Sequence, residues 1–375
     1  MSALLILDLA KAFDSVPHNR LLFKSESYGV KGTLLDWMKN FLIGRRQLVM
    51  VAGTGSQWAP VLSGVPQGSV LGPLLFISYI NDMPETVSSF IYMYADDTKV
   101  VREVTTTRDC EELQADLDSI HHWSEKWQLK FNSSKCKIMH LGHSSDRAEY
   151  TMNDNGIEIS LEVISEEKDL GVWMDDRLKF STHIGHAVAK GNQVLGLIKR
   201  SFVHRDSQII KRLFTALVRP HLEYANAVCH PRFKKDIEQL ERVQRRATKL
   251  VTGFRNMLYE NRLKAMKLPS LVYRRYRGDM IEVYKYLHGM YSVPCDSLLK
   301  KALPSALRGH NYKLLKRHCH SQLRLQFFSF RVTNLWNCLP EEVVSAPSLN
   351  AFKGRLGKFW YNCQFSLDPE TFSRT

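Results

Sequence analysis

The stretch "FIYMYADDTKVV", residues 90–101, decides how the chain reads. β-forming residues stand on both sides of two adjacent acids, which predicts a β-hairpin with Asp96 and Asp97 at its turn. Two neighbouring carboxylates repel one another and are costly to hold together unless a cation neutralises them. Oxygen ligands of this kind suit a hard ion such as Mg²⁺. The same residues also read as an ordinary acidic turn. The choice depends on whether the rest of the chain supplies further ligands.

Working outward, "ALLILDLAKAFDSV" begins with an apolar run from Ala3 to Leu7, the pattern of a buried strand, and places Asp8 at its end. Asp14 and Ser15 introduce a helix with Pro17 near its first turn, and a second helical pattern follows around Leu34 to Leu42. "LSGVPQGSVLGPLLFISYINDMP" then sets Gly64, Gly68 and Gly72 among Pro66, Gln67, Ser69 and Pro73, ahead of an apolar helix from about Leu74 to Ile80. Such a loop exposes backbone N–H groups and lets a phosphate or base edge approach closely. Beyond the hairpin, residues 105–129 form an amphipathic helix with Thr107 as the expected N-cap. "FNSSKCKIMHLG" gives a turn holding Lys135 and then a strand, and another strand surrounds Leu170 and Gly171.

The 375 residues are more than one core needs and predict two or three domains. Seven Cys without paired spacing point to reduced thiols and an intracellular protein. No apolar run reaches the roughly 20 residues of a membrane span, so no membrane partner is expected. The first residues lack the basic and small-residue marks of a secretory signal. Three consecutive residues, His318, Cys319 and His320, cannot converge on zinc as spaced ligand pairs do.

Charge divides the chain. Residues 1–180 carry 18 Lys and Arg against 25 Asp and Glu, whereas residues 181–375 carry 34 against 13. An acidic half joined to a strongly basic half is a footprint of nucleic-acid binding. From about Phe180 three basic helical patterns follow. The third turns Ile237, Leu240, Val243, Ala247 and Leu250 inward and leaves Arg242, Arg245, Arg246 and Lys249 as candidate nucleic-acid contacts. Later, "SLVYRRYRGDMIEVYKYLHGM" interleaves Tyr and Arg, and the last residues, 366–375, read as a disordered tail.

Together these stretches resemble the reverse transcriptases of non-LTR, LINE-type retrotransposons, the jockey-like elements above all. "LDLAKAFDSVPH", "GVPQGSVLGPLLFISYIND", "YMYADDTKV", "FNSSKCKIMHLG" and "EKDLGVWMD" are similar, in order and approximate spacing, to five motifs of that family over about residues 1–180. The resemblance implies an α+β fold: a polymerase palm with a small antiparallel sheet and packed helices in 1–180, then an α-helical basic thumb in 181–255. A basic, mainly helical C-terminal region in 256–365 and the tail complete it. It implies an RNA-directed DNA polymerase, a nucleotidyltransferase in which Asp8, Asp96 and Asp97 hold two Mg²⁺ ions, with Mn²⁺ as a substitute. One ion would activate the primer 3′-hydroxyl and the other would steady the triphosphate and pyrophosphate.

By the same resemblance Phe13 blocks a ribose 2′-hydroxyl and selects dNTPs, which argues against an RNA product. Gln67 and Gly68 touch nucleotide and template. Lys135 donates a proton to pyrophosphate. Leu170 and Gly171 belong to the primer grip. The partners implied are an RNA template, a DNA primer or target DNA, and dNTPs, with work in the nucleus at target DNA. Such enzymes carry a fingers subdomain before the Asp8 strand. Here Asp8 follows a single strand from Met1, so the expectation is a chain truncated at the N-terminus with the fingers largely missing. The alternative expectation is an inactive truncated remnant that only binds RNA or DNA through its basic half.

Overall fold

The computed structural model describes residues 2–142, 147–154, 156–292, 298–302, 309–319 and 321–372. The chain divides into two compact units, Met1–Glu167 and Lys168–Thr375. The first break thus falls ahead of the boundary expected at residue 180. No described helix is long and apolar enough to cross a membrane.

The first unit begins with β1 (Ser2–Leu7), α1 (Ala12–Ser15), α2 (His18–Ser27) and α3 (Thr33–Leu42). Four two-residue strands follow, β2 (Arg46–Gln47), β3 (Met50–Val51), β4 (Thr54–Gly55) and β5 (Ala59–Pro60), and then α4 (Leu71–Ile80). The hairpin β6 (Phe90–Tyr94) and β7 (Asp97–Glu103) leads to α5 (Thr107–Trp127). The unit closes with β8 (Lys137–Leu141), β9 (Thr151–Asp154), β10 (Ile157–Ser160) and β11 (Glu162–Ile164).

A five-stranded sheet in the order β11-β8-β1-β7-β6 organises these elements. β1 lies at its centre, antiparallel to both β7 and β8, while β11 joins β8 in parallel and makes the sheet mixed rather than wholly antiparallel. The unbroken apolar run of β1 has a direct structural reason. Ala3, Leu5 and Leu7 face the main core, and Leu4, opposite Met139, is buried apart from that cluster. A strand covered on both sides needs apolar residues at successive positions. α4 contributes Phe76, Tyr79 and Ile80 to the core, and α5 contributes Leu113, Leu117, Ile120 and Trp123.

α5 starts one residue earlier than the sequence suggests. Thr106 rather than Thr107 is its N-cap, because Asp109 bonds back to the N–H groups of Thr105 and Thr106 while the Thr106 hydroxyl accepts from Asp109 N. This reciprocal capping box satisfies donors that the helix itself leaves free.

β12 (Glu166–Asp169) carries the chain into the second unit and pairs with β13 (Val172–Asp175). Helices then dominate: α6 (Ser181–Ser201), α7 (Ser207–Leu213), α8 (Arg219–Glu223), α9 (Lys234–Lys249), α10 (Tyr259–Met266) and α11 (Leu271–Leu287), with further helices at Phe328–Asn337 and Leu349–Phe359. The second of the basic helical patterns, over residues 206–228, is not one continuous α-helix but α7 and α8 joined by a π-helical segment, Phe214–Val218. Pro220 lacks an N–H and crowds the carbonyl four residues back, which the wider turn accommodates.

Two apolar clusters share this unit. One holds Ile184, Leu195, Val218, Leu240, Val243, Ala247 and Leu263; the other holds Met280, Val283, Tyr284, Trp336, Phe352 and Trp360. The expected tail is anchored through residue 372. Phe372 is buried and stacks on Tyr276 at 5.0 Å, and the Ser270 hydroxyl donates to Ser366 O at 2.6 Å.

A buried ionic centre ties this second unit together. Arg331 donates from Nε and Nη2 to the two Asp279 oxygens at 3.0 Å each, and Asn226 Nδ2 donates to Asp279 at 3.0 Å. Arg331 also bonds the carbonyls of Asn226 and Ala227. Beside them burial drives His230 well below its ordinary range, so its ring stays neutral. Removing one partner of a buried pair leaves the other charge without compensation. Asp279→Ala is expected to destabilise the chain by about 3–5 kcal/mol in chemical denaturation, against less than about 0.5 kcal/mol for an exposed change such as Lys249→Ala.

Candidate active site

The antiparallel register pairs Leu7 with Thr98. Carried one residue further, it sets Asp8 opposite Asp97, the first residue of β7. Asp96 lies in the two-residue turn with Ala95, and Tyr94 pairs with Asp97 across the hairpin. The three acids therefore occupy one end of one sheet, just past the central strand β1, at the first residue of β7 and in the adjoining turn. Ala95 turns the chain at φ 53°, an uncommon left-handed conformation for a residue with a Cβ.

Lys135 reaches the same end. Its Nζ stands 3.3 Å from Asp8 Oδ2, and both side chains are in part open to solvent. The loop that carries it is stitched to the backbone around Asp8. Asn132 N donates to Asp8 O at 2.8 Å, and Ala10 N donates to Lys130 O at 2.8 Å. Next to Lys135, burial pushes the Cys136 thiol up to about 11, which keeps it neutral near Asp8. The three carboxylates are hard oxygen donors, the chemistry that a magnesium ion requires. Among the described residues, however, no three His, Cys, Asp or Glu side chains are gathered into a cation-holding group. The acids share an end of the sheet, and their side chains would have to turn inward to share an ion.

The glycine-rich loop is locked onto the chain just past Asp8. Val65 N donates to Phe13 O and Gly64 N to Val16 O, each at 2.8 Å, and Gln67 Nε2 donates to Asp14 Oδ1 at 2.8 Å. Gly64 is required there. A Cβ at this position would stand 2.7 Å from Asp14 Cα and O, and its φ of +87° disfavours side chains as well. Phe13 stacks on Phe76 of α4 with centroids 4.4 Å apart, which fixes the ring's place. Gln67 and Gly68 are exposed on the loop. The structure thus brings Phe13 and Gln67 together through Asp14.

The remaining expected site residues lie in the second unit. Leu170 and Gly171 form the turn between β12 and β13, with φ of 43° and 85°. Tyr224, unremarked in the sequence, holds this turn: its hydroxyl donates to Leu170 O at 2.6 Å, and its ring meets the space above Gly171, where a Cβ would lie 3.2 Å from the ring. On α9, Arg242, Arg246 and Lys249 are exposed, with Arg242 paired to Glu238 at 3.4 Å and Arg246 donating to Asn192 at 2.9 Å. Arg245 differs. It is half-buried with its guanidinium 5.1 Å from the Tyr259 ring centre, so it is spent on packing. Of the His318–His320 run, His320 lies outside the described residues.

The sequence profile of the family described as reverse transcriptase (RNA-dependent DNA polymerase) matches residues 2–198, more than half the chain. The chain belongs to the reverse transcriptase family. Among curated proteins it is similar to the RNA-directed DNA polymerase from mobile element jockey of Drosophila funebris, 28% identical over 83% of this chain and 35% of that protein. The jockey polymerase of Drosophila melanogaster is 27% identical over the same shares, and the probable RNA-directed DNA polymerase from transposon X-element of that species is 29% identical over 66% of this chain and 28% of its own length. The chain spans about a third of the length of these relatives. A solved telomerase structure from Candida albicans overlaps 72% of this chain and 51% of its own at 9% identity and a TM-score of 0.36, too loose a likeness to carry an argument.

Within this member of the reverse transcriptase family, the tie between Tyr224 and the Leu170–Gly171 turn is testable directly. Tyr224→Phe removes one hydrogen bond, expected to cost about 0.5–1.5 kcal/mol locally. Gly171→Ala adds both strain and contact and should loosen the turn more. Hydrogen exchange of β12 and β13 amides checks this, with faster exchange in the order wild type, Tyr224→Phe, Gly171→Ala.

Proposed function

We propose that this chain is the palm and thumb portion of an RNA-directed DNA polymerase of a jockey-like non-LTR retrotransposon, extending a DNA primer 3′-hydroxyl along an RNA template. The observation that carries this reading is the placement of Asp8, Asp96 and Asp97 at one end of one sheet, with Lys135 3.3 Å from Asp8. Family membership supplies the reaction class, and the jockey relatives carry the name of that activity.

Asp8, Asp96 and Asp97 would hold Mg²⁺, with Mn²⁺ as a substitute. When bound, such ions lower the pKa of the attacking hydroxyl and neutralise charge on the phosphates. In the reaction the primer 3′-oxygen bonds to the α-phosphorus of a dNTP and the bond to pyrophosphate breaks. The hydroxyl proton leaves to solvent. Lys135, an ammonium beside Asp8, would hold a proton at Nζ for the departing pyrophosphate. The Phe13 ring, fixed by its stack on Phe76, would form the wall that a 2′-hydroxyl meets. Gln67, oriented by Asp14, and Gly68 would lie against the nucleotide and its template base.

In the second unit the Leu170–Gly171 turn would support the primer end, and the exposed Arg242, Arg246 and Lys249 would meet phosphates. The template RNA, the primer or target DNA, and the dNTPs are the partners this reading requires.

Purified protein is expected to extend a DNA primer on an RNA template with Mg²⁺ and dNTPs. Asp96→Asn should reduce extension by about 10²-fold or more, the scale for losing one charge stabiliser of a transition state, while RNA binding persists. Binding by the wild type without any extension would contradict the polymerase reading and support a remnant that only binds nucleic acid.

A further inference from the structure

Unit one is acidic, yet in one of its clefts every charged lining residue is an arginine. Between the start of α2 and the paired strands β2 and β5 lies an open cleft of about 710 Å³. His18, Arg20, Arg45 and Arg46 line it, and none of its lining residues is Asp or Glu. None of the three arginines forms an ion pair among the described residues. Arg45 spends its donors on carbonyls, from Nε to Leu42 O at 2.9 Å and from Nη2 to Gly64 O at 2.7 Å, and His18 Nε2 meets the same Gly64 oxygen at 2.9 Å. Burial holds the Arg45 guanidinium below its ordinary value. Arg46 is exposed and stands 5.9 Å from the ring centre of Trp58, itself half open to solvent. A cation beside an exposed aromatic ring is a common pairing on surfaces that track single-stranded nucleic acid.

The cleft's position selects among anions. Ser63 lines it and bridges to Pro17, and the Ser63 hydroxyl donates to Asp14 O at 2.8 Å. Asp14 is the residue whose carboxylate orients Gln67 on the glycine-rich loop. The cleft wall and the proposed nucleotide loop are therefore joined through one residue. The loop proposed to touch the template and the arginine-lined cleft thus share Asp14 as an anchor, which favours the template strand over other anions. We propose that this cleft binds the phosphodiester backbone of the single-stranded template, with Arg20 and Arg46 as the phosphate contacts and Arg45 as the fixed charge beneath them. This rests on the polymerase reading and adds to it the path of the template.

Arg20→Ala with Arg46→Ala tests the proposal, since neither side chain makes a hydrogen bond among the described residues, and Arg45 is left intact. Binding of a fluorescein-labelled oligouridylate is followed by anisotropy across a salt series. Single strands release about 0.7 ions per phosphate contact, so the slope of log affinity against log salt should fall by about 1.4 in the double variant, with affinity at low salt down at least about tenfold. An unchanged slope and affinity in a variant whose wild type binds would overturn the cleft alone. Failure of the wild type to bind any oligonucleotide would overturn both the cleft and the polymerase reading. Competition by ATP as effective as that by unlabelled oligouridylate, at equal phosphate, would place a free triphosphate there and overturn the template assignment.

Discussion

The ladder between β1 and β7 sets Leu7 against Thr98, and its next step sets Asp8 against Asp97. Antiparallel pairing fixes side-chain direction with a period of two, so a slip of one residue would exchange the sheet's two faces. The cores around β1 forbid that slip. Ala3, Leu5 and Leu7 are all but inaccessible, and a shifted register would move them out of the cluster that α4 and α5 complete. Apolar burial thus secures the position of polar chemistry. The acids stand where strands end, at the rim, so their charge need not be carried into the core.

The same logic extends to the residues around the acids. The Lys135 loop is fastened to the backbone at Asp8 and Ala10, and the glycine-rich loop is fastened to Phe13 and Val16. Backbone bonds of this kind hold two loops to one strand end whatever their side chains do. The cationic cleft beyond Ser63 is fastened instead by side chains that donate to backbone carbonyls, Arg45 to Gly64 O and the Ser63 hydroxyl to Asp14 O.

Much of this was legible in the sequence. A continuous apolar run ending in Asp8 and β-forming residues on both sides of Asp96 and Asp97 specify two strands and a turn, because local pattern and final burial agree. The inward face of α9 followed for the same reason. Other features depend on contacts remote in sequence, to which a local pattern is blind. Arg245 reads as a free cation until Tyr259 packs beneath it, and Phe372 reads as tail until Tyr276 stacks on it. Tyr224 carried no signal of its link to Leu170, 54 residues away. The Arg45–Arg46 pair did offer one, two adjacent cations in an acidic half, but their neighbours across the cleft came only with the fold.

We propose that the β1–β7 register builds a site for a divalent cation from Asp8, Asp96 and Asp97. Titration with Mn²⁺, followed by electron paramagnetic resonance of the free ion, tests it without reference to activity. Wild-type protein is predicted to bind Mn²⁺ in competition with Mg²⁺, and Asp8→Asn and Asp97→Asn should each weaken that binding markedly. Equal Mn²⁺ binding by the wild type and Asp8→Asn would contradict the account, since the strand end would then contribute no ligand.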